Sequence, residues 1–201
     1  MAGVAAAIIA GGPARRLGGA AKPFLEVGGR AVADRQLEVL RPLFGRILVV
    51  AADAAPWRAR GLEVVSDRVA GAGPLAGLSA ALEAVNGDAE AIVCVAGDLP
   101  FLAPALLAAL RDQGPDADAV APRPGGRAEP LCARYAARLS ASIDARLVEG
   151  RLALHELLAA SATAWLDDTA LARLDPGGHS FFNLNTPDDL RRAEEIARAA
   201  S

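Results

Sequence analysis

The sequence predicts an α/β fold, a three-layer, doubly wound, mostly parallel sheet of Rossmann-like type. Two observations carry this. Short apolar, partly β-branched runs alternate with amphipathic helical patterns along the chain, and Gly-rich stretches follow several of the runs, where such folds place their ligand loops. Strands are expected at 4–10, 46–51, 62–66, 91–96, 118–121, 130–135 and 182–184. Between them, Ala33, Leu37 and Leu40 share one helical face, and Leu75, Leu78, Leu82 and Val85 share another. Pro124-Gly125-Gly126 reads as a turn within a mixed part of the sheet. Thr186-Pro187-Asp188-Asp189 reads as a helix start: Thr186 caps, Pro187 suits the first turn, and the acids complement the dipole.

At 201 residues, with no repeat, linker or low-complexity segment, 1–201 is expected to be one domain with a substantial core. A composition 53% hydrophobic and 22% charged excludes a disordered chain. Net charge is −3, so no broad nucleic-acid or membrane surface is expected and any basic site must be local. Cys94 and Cys132 sit in apolar runs and read as reduced core residues of a cytoplasmic protein. The apolar start has no basic segment before it, and the run 101–110 is too short to span a bilayer.

The strongest local signal follows the first strand: Ile9-Ala10-Gly11-Gly12-Pro13-Ala14-Arg15-Arg16-Leu17-Gly18-Gly19-Ala20-Ala21-Lys22. Glycines let a backbone approach a ligand and turn N–H groups toward phosphate oxygens, and Arg16 and Lys22 add positive charge. Lys22 is the only lysine in the chain. The loop is neither G-x-G-x-x-G nor a P-loop. Taken alone, it also fits a surface turn with solvated arginines. A second loop, Gly71-Ala72-Gly73-Pro74-Leu75-Ala76-Gly77, follows the strand at 62–66 and Asp67 and opens a helix. Asp98 stands at the end of the strand at 91–96, where one carboxylate suffices for Mg²⁺ shared with phosphate. The other reading of Asp98 is a turn or helix cap near Pro104.

Three such loops at one sheet edge point to a nucleotide pocket. Asn183 and Asn185 fall on one side of an extended segment. Their amides suit either a polar ligand or a local cap. Arg127, Glu129 and Pro130 form a second segment of this kind. His155 and His179 are not spaced as a metal pair, Trp57 and Trp165 read as packing, and Asp167-Asp168 as solvated surface.

The loop 10–22, Gly73–Gly77, Gly97-Asp98-Leu99-Pro100 and Asn183-Leu184-Asn185-Thr186-Pro187 occur in an order that resembles the molybdenum cofactor guanylyltransferases (the MobA family) over nearly the whole chain. The resemblance implies transfer of GMP from GTP to the terminal phosphate of molybdenum-molybdopterin, releasing pyrophosphate, with Mg²⁺. It implies GTP binding by Ile9, Ala10, Gly11, Gly12, Gly19, Lys22, Asp67, Gly73 and Asp98. Lys22, Arg16 and Asp98 would be catalytic, Asp98 would hold the metal, and Asn183 and Asn185 would bind the acceptor. Transient contacts with cofactor-synthesis and molybdoenzyme-maturation proteins would follow. Ala51 stands where relatives often place Asn, and Ala21 where they often place an acid. Alternatives are a cytidylyltransferase on the same cofactor, a transferase on another phosphorylated metabolite, or a non-catalytic nucleotide-binding delivery protein.

Overall fold

Alternate residues of strand β1 (Gly3–Ile9) enter opposite apolar clusters: Ala5, Ala7 and Ile9 one, Ala6 and Ile8 the other. A strand apolar on both sides needs a helical layer on each, the condition under which parallel sheets form. The computed structural model describes residues 3–10, 21–66 and 72–199.

After β1 come a 3-10 turn (Lys22–Phe24) and the two-residue strands β2 (Glu26–Val27) and β3 (Arg30–Ala31), then α1 (Val32–Leu40), β4 (Ile47–Val50), α2 (Ala55–Arg58) and β5 (Glu63–Val65). The middle of the chain holds α3 (Gly73–Ala84), β6 (Ala89–Ala96), α4 (Pro104–Asp112), β7 (Ala119–Pro122) and β8 (Cys132–Ala136). It closes with α5 (Ser140–Val148), α6 (Leu154–Ala160), β9 (Thr163–Leu166), α7 (Asp168–Leu174) and α8 (Pro187–Ala199).

The main sheet runs β5-β4-β1-β6-β8-β7-β9. All its pairings are parallel except those of β8, which lies antiparallel to β6 and β7. The turn at Pro124–Gly126 makes that reversal, as its composition predicts; Gly125 (φ 55°) and Gly126 (φ 82°) take the left-handed backbone it needs. Leu75, Leu78 and Leu82 of α3 cover one face with Ile143 of α5 and Leu157 of α6. Leu37 and Leu40 of α1, Trp57, Leu106, Leu107 and Leu110 of α4, and Leu171 cover the other. Gly77 lets α3 approach β1 closely, since a Cβ there would stand 3.0 Å from Ile9 Cγ2.

Cys94 and Cys132 are buried free thiols, and burial pushes both up from their usual range. Among the described residues, no helix is long and apolar enough to cross a membrane. Asp167 caps α7 by accepting the Ala170 N–H at 2.9 Å, and Asp168 accepts the Gly125 N–H, so this pair is structural rather than merely solvated.

The expected strand at 182–184 does not form. The segment has no regular structure, with Leu184 fully buried and Asn183 and Asn185 exposed. Its Leu184 N–H goes to the Asp98 carbonyl at 3.1 Å, not to a ladder. Alternating exposure of this kind needs no sheet partner. Conversely, β9 forms where none was expected. It is a short edge strand, only half-buried at Thr163, Ala164 and Trp165, so its apolar signal is weak.

The Thr186 cap is as expected and better furnished. Thr186 Oγ1 accepts the Asp189 N–H at 3.1 Å, and Asp189 Oδ2 accepts the N–H groups of Thr186 at 2.8 Å and Asn185 at 2.9 Å. These bonds hold the Asp189 carboxyl below its ordinary value, the Asn185 N–H foremost. Thr186→Ala should cost about 1 kcal/mol and lower the thermal midpoint by roughly 2–4 °C. An unchanged midpoint in calorimetry would show that Asp189 alone holds this helix start.

Candidate active site

Three stretches far apart in sequence meet at the carboxyl end of β6. The Lys22 ammonium donates to Asp98 Oδ2 at 2.9 Å and to Asn185 Oδ1 at 2.6 Å. The Lys22 and Asp98 side chains retain 18% and 20% of their exposure, so the pair is reachable from solvent yet partly screened from it. No hydrogen bond reaches Asp98 Oδ1 among the described residues.

Lys22 is placed by the residues that follow it. Pro23 is buried and Phe24 packs on Trp57 with ring centroids 5.1 Å apart. The Arg60 guanidinium lies 5.0 Å over the Phe24 ring and is itself held by Asp34 at 2.7 and 3.0 Å.

Asp98 is placed by close contact and by hydrogen bonds. A Cβ on Gly97 would stand 3.1 Å from Pro23 Cγ and 3.2 Å from Ala10 Cβ, so a side chain there would push Ala10 and the Lys22–Phe24 turn away from the end of β6. Gly97 N–H donates to the Ile9 carbonyl at 3.0 Å. Arg35 Nε takes the Pro100 carbonyl at 3.1 Å, and the Ser180 hydroxyl accepts the Ala103 N–H at 2.9 Å. The N-cap position of α4 is Ala103, so Asp98 does not cap that helix.

Of the other expected residues, Ile9 lies in the core and Ala10 is half-buried, its N–H donated to Val50 O at 2.9 Å. Gly73 begins α3 with φ 65°, a left-handed conformation, with open space where a side chain would be. Among the described residues no side chain caps α3, and its first N–H groups have no partner within the helix. Gly11, Gly12, Arg16, Gly19 and Asp67 lie outside the described residues. Asn183 and Asn185 part company: Asn185 joins the Lys22–Asp98 pair, whereas among the described residues Asn183 Nδ2 donates only to Phe181 O, at 3.3 Å.

Glu129 lies beyond the start of β8, half-buried, with its carboxyl pushed up by burial against the opposing pull of Arg127. No hydrogen bond reaches that carboxylate among the described residues. His155 is exposed, His179 packs beside Phe101, and no group of three or more His, Cys, Asp or Glu suited to a metal occurs among the described residues.

A cation held between a carboxylate and an amide oxygen, with a donor to spare among the described residues, suits a polyphosphate ligand. Lys22→Ala should leave the fold intact and remove one charge-assisted contact of about 1.5–3 kcal/mol. Nucleoside triphosphate affinity should then fall roughly ten- to a hundredfold in calorimetric titration. Unchanged affinity in a folded variant would remove Lys22 from the site.

Residues 6–166 match the family of MobA-like NTP transferase domains. A Pelotomaculum thermopropionicum protein described as a probable molybdenum cofactor guanylyltransferase is 34% identical over 94% of this chain and 91% of its own length. A Rhodopseudomonas palustris molybdenum cofactor guanylyltransferase is 33% identical over 96% and 93%. The crystal structure of molybdopterin-guanine dinucleotide biosynthesis protein A from Archaeoglobus fulgidus superposes with TM-score 0.83 at 30% identity, covering 97% of this chain and 99% of that one. A Mycobacterium tuberculosis protein solved with manganese shares the fold, with TM-score 0.69 at 21% identity, covering 96% and 98%. With that breadth of match the family is settled: this chain is a nucleotidyltransferase and belongs to the MobA-like NTP transferases.

Proposed function

We propose that the protein transfers GMP from GTP to the terminal phosphate of molybdenum-molybdopterin, giving molybdopterin guanine dinucleotide and pyrophosphate. The observation that carries this reading is the convergence of Lys22, Asp98 and Asn185. It joins the loop after β1, the end of β6 and the segment before α8 in a chain whose relatives bear the name of that activity.

A phosphate monoester with a second pKa of roughly 6 is largely dianionic at neutral pH. The acceptor therefore needs no serine, cysteine or histidine nucleophile. The protein's work is to hold two anions together and to stabilise charge developing at the α-phosphorus. Lys22 and the loop amides at Gly11 and Gly12 meet the triphosphate, with Arg16, Gly19 and Asp67 completing the nucleotide side. The uncapped start of α3 at Gly73 offers further N–H groups, and Ile9 and Ala10 fix where the loop leaves the sheet.

Asp98 would hold Mg²⁺. The donor set fits: Asp98 Oδ1, a hard donor, takes no hydrogen bond among the described residues while Oδ2 holds Lys22, and Mg²⁺ needs only one or two carboxylates besides phosphate and water. Bound there, the ion would neutralise phosphate charge in the ground state and on the departing pyrophosphate.

The nucleotide side lies toward β1, β4 and α3, and the acceptor side toward β8 and the segment before α8. Asn183 and Asn185 would face the acceptor, with Asn185 also holding Lys22. Ala51, buried just after β4, gives its N–H to Val65 O at 3.2 Å and offers the base no polar side chain.

Base choice is read from thermal shifts with Mg²⁺. GTP should raise the unfolding midpoint more than CTP or ATP at equal concentration, because the tighter ligand stabilises more. Equal shifts would mark a pocket blind to the base, and a larger shift with CTP would make the protein a cytidylyltransferase. The two asparagines should separate in parallel titrations. Asn183→Ala should weaken molybdopterin alone, whereas Asn185→Ala should weaken both ligands, each by about 1.5–3 kcal/mol per lost charged contact. Normal binding of both ligands by both variants would leave these amides outside the site.

A further inference from the structure

Gln36 is the one polar residue on the buried face of α1, alongside Val32, Ala33, Leu37 and Leu40, and it is 1% exposed. Its Nε2 donates twice, to the carbonyl of Ala96 at 2.7 Å and to that of Leu99 at 3.0 Å. Its Oε1 is buried with no hydrogen-bond partner among the described residues. The two carbonyls are acceptors, so turning the amide over would set oxygen against oxygen. They fix which end of the amide faces the loop.

An orphaned buried oxygen is a poor way to stabilise a helix face that leucine would fill. What the amide provides is a bridge across Gly97-Asp98, gripping the peptide groups on either side of the carboxylate-bearing residue. The same stretch is held from the far side, where Leu184 N–H donates to the Asp98 carbonyl at 3.1 Å. Gripped at 96, 98 and 99, the backbone leaves Asp98 few directions in which to point.

We infer that Gln36 is a positioning residue for this reaction: from inside the core it fixes the backbone turn that aims Asp98 at the cation. It touches neither substrate nor metal. It acts through Asp98, as outer-shell groups orient metal-ligating side chains elsewhere.

The inference rests on the reading of Asp98 as the metal carboxylate, so both are tested in the whole protein. Mn²⁺ is titrated by electron paramagnetic resonance in the presence of a GTP analogue with a methylene bridge between the α- and β-phosphorus atoms. Asp98→Asn should abolish the bound-Mn²⁺ signal; if it does not, the reading of Asp98 fails and the inference with it. Gln36→Met keeps the side chain's length and removes both donors. It should raise the Mn²⁺ dissociation constant about tenfold or more, with metal-free binding of the analogue nearly unchanged. Turnover at saturating Mg²⁺ should fall in parallel while the KM for GTP holds. A lower thermal midpoint with normal Mn²⁺ affinity and normal turnover per folded molecule would make Gln36 structural and overturn the inference. Gln36→Asn, an amide one methylene too short to reach both carbonyls, should shift Mn²⁺ affinity the same way and stands in if the methionine variant does not fold. If neither variant folds, Gln36 serves stability alone and the inference is again overturned.

Discussion

Asp98 can meet a cation reproducibly only if the backbone that carries it is immobile, and the rest of the site depends on that restraint. A loop at the end of a buried strand has carbonyls that must find donors or lose hydration. Here the donors come from elements remote in sequence: Gln36 and Arg35 from α1, the Leu184 N–H from the segment before α8. Satisfying the carbonyls and fixing the carboxylate are one act. The loop is thereby built into the core on its inner side while its charged side chain keeps an open side, the combination a preorganised electrostatic site requires.

The reversal of β8 gives the sheet its second half. Parallel strands β5, β4, β1 and β6 end at one edge, and the chain's phosphate-binding candidates follow β1, β5 and β6. Because β8 runs antiparallel to β6, it starts at that same edge, with the Ala96 N–H donating to Leu131 O at 2.8 Å. Arg127 and Glu129 thus stand at the sheet edge that carries Asp98. An all-parallel sheet would have placed the start of this strand at the opposite edge. One change of strand direction brings the start of β8 to the sheet edge at which β6 delivers Asp98.

Much of this was legible in the residues because the core obeys simple periodicities. Each two-sided apolar strand from β1 to β8 was placed to within a few residues, and the stripes of α1 and α3 are buried as their 3.6-residue spacing demands. The errors have a common cause. Segment 182–184 and strand β9 have similar local patterns, and only tertiary hydrogen bonding distinguishes them: β9 finds β7 as a partner, whereas Leu184 finds the Asp98 carbonyl. Ladder membership is non-local and leaves little trace in a four-residue window. The site shows the same division. Lys22, Asp98 and the asparagines announce themselves by type and setting, but the bond from Lys22 to Asn185, 163 residues away in the chain, does not. Gln36 carried a signal that went unused, a polar residue inside an apolar stripe.

The choice of lysine at position 22 follows from the same geometry. The chain has 21 lysine and arginine residues, and this is the only lysine, so whatever favours arginine elsewhere is opposed here. An arginine held by Asp98 would engage it through a planar fork, a rigid pairing from which it leaves with difficulty. An ammonium is a compact charge on a flexible stem, with three donors that can be divided among unlike acceptors. At 2.9 Å from a carboxylate and 2.6 Å from an amide oxygen, two of those donors are used and, among the described residues, one is left. The third can meet a phosphate oxygen while the first two keep the side chain in place, and the stem lets the charge follow the phosphate as its geometry changes. A site that must hold an anion firmly, then release pyrophosphate, favours the cation that shares its bonds over the one that locks them.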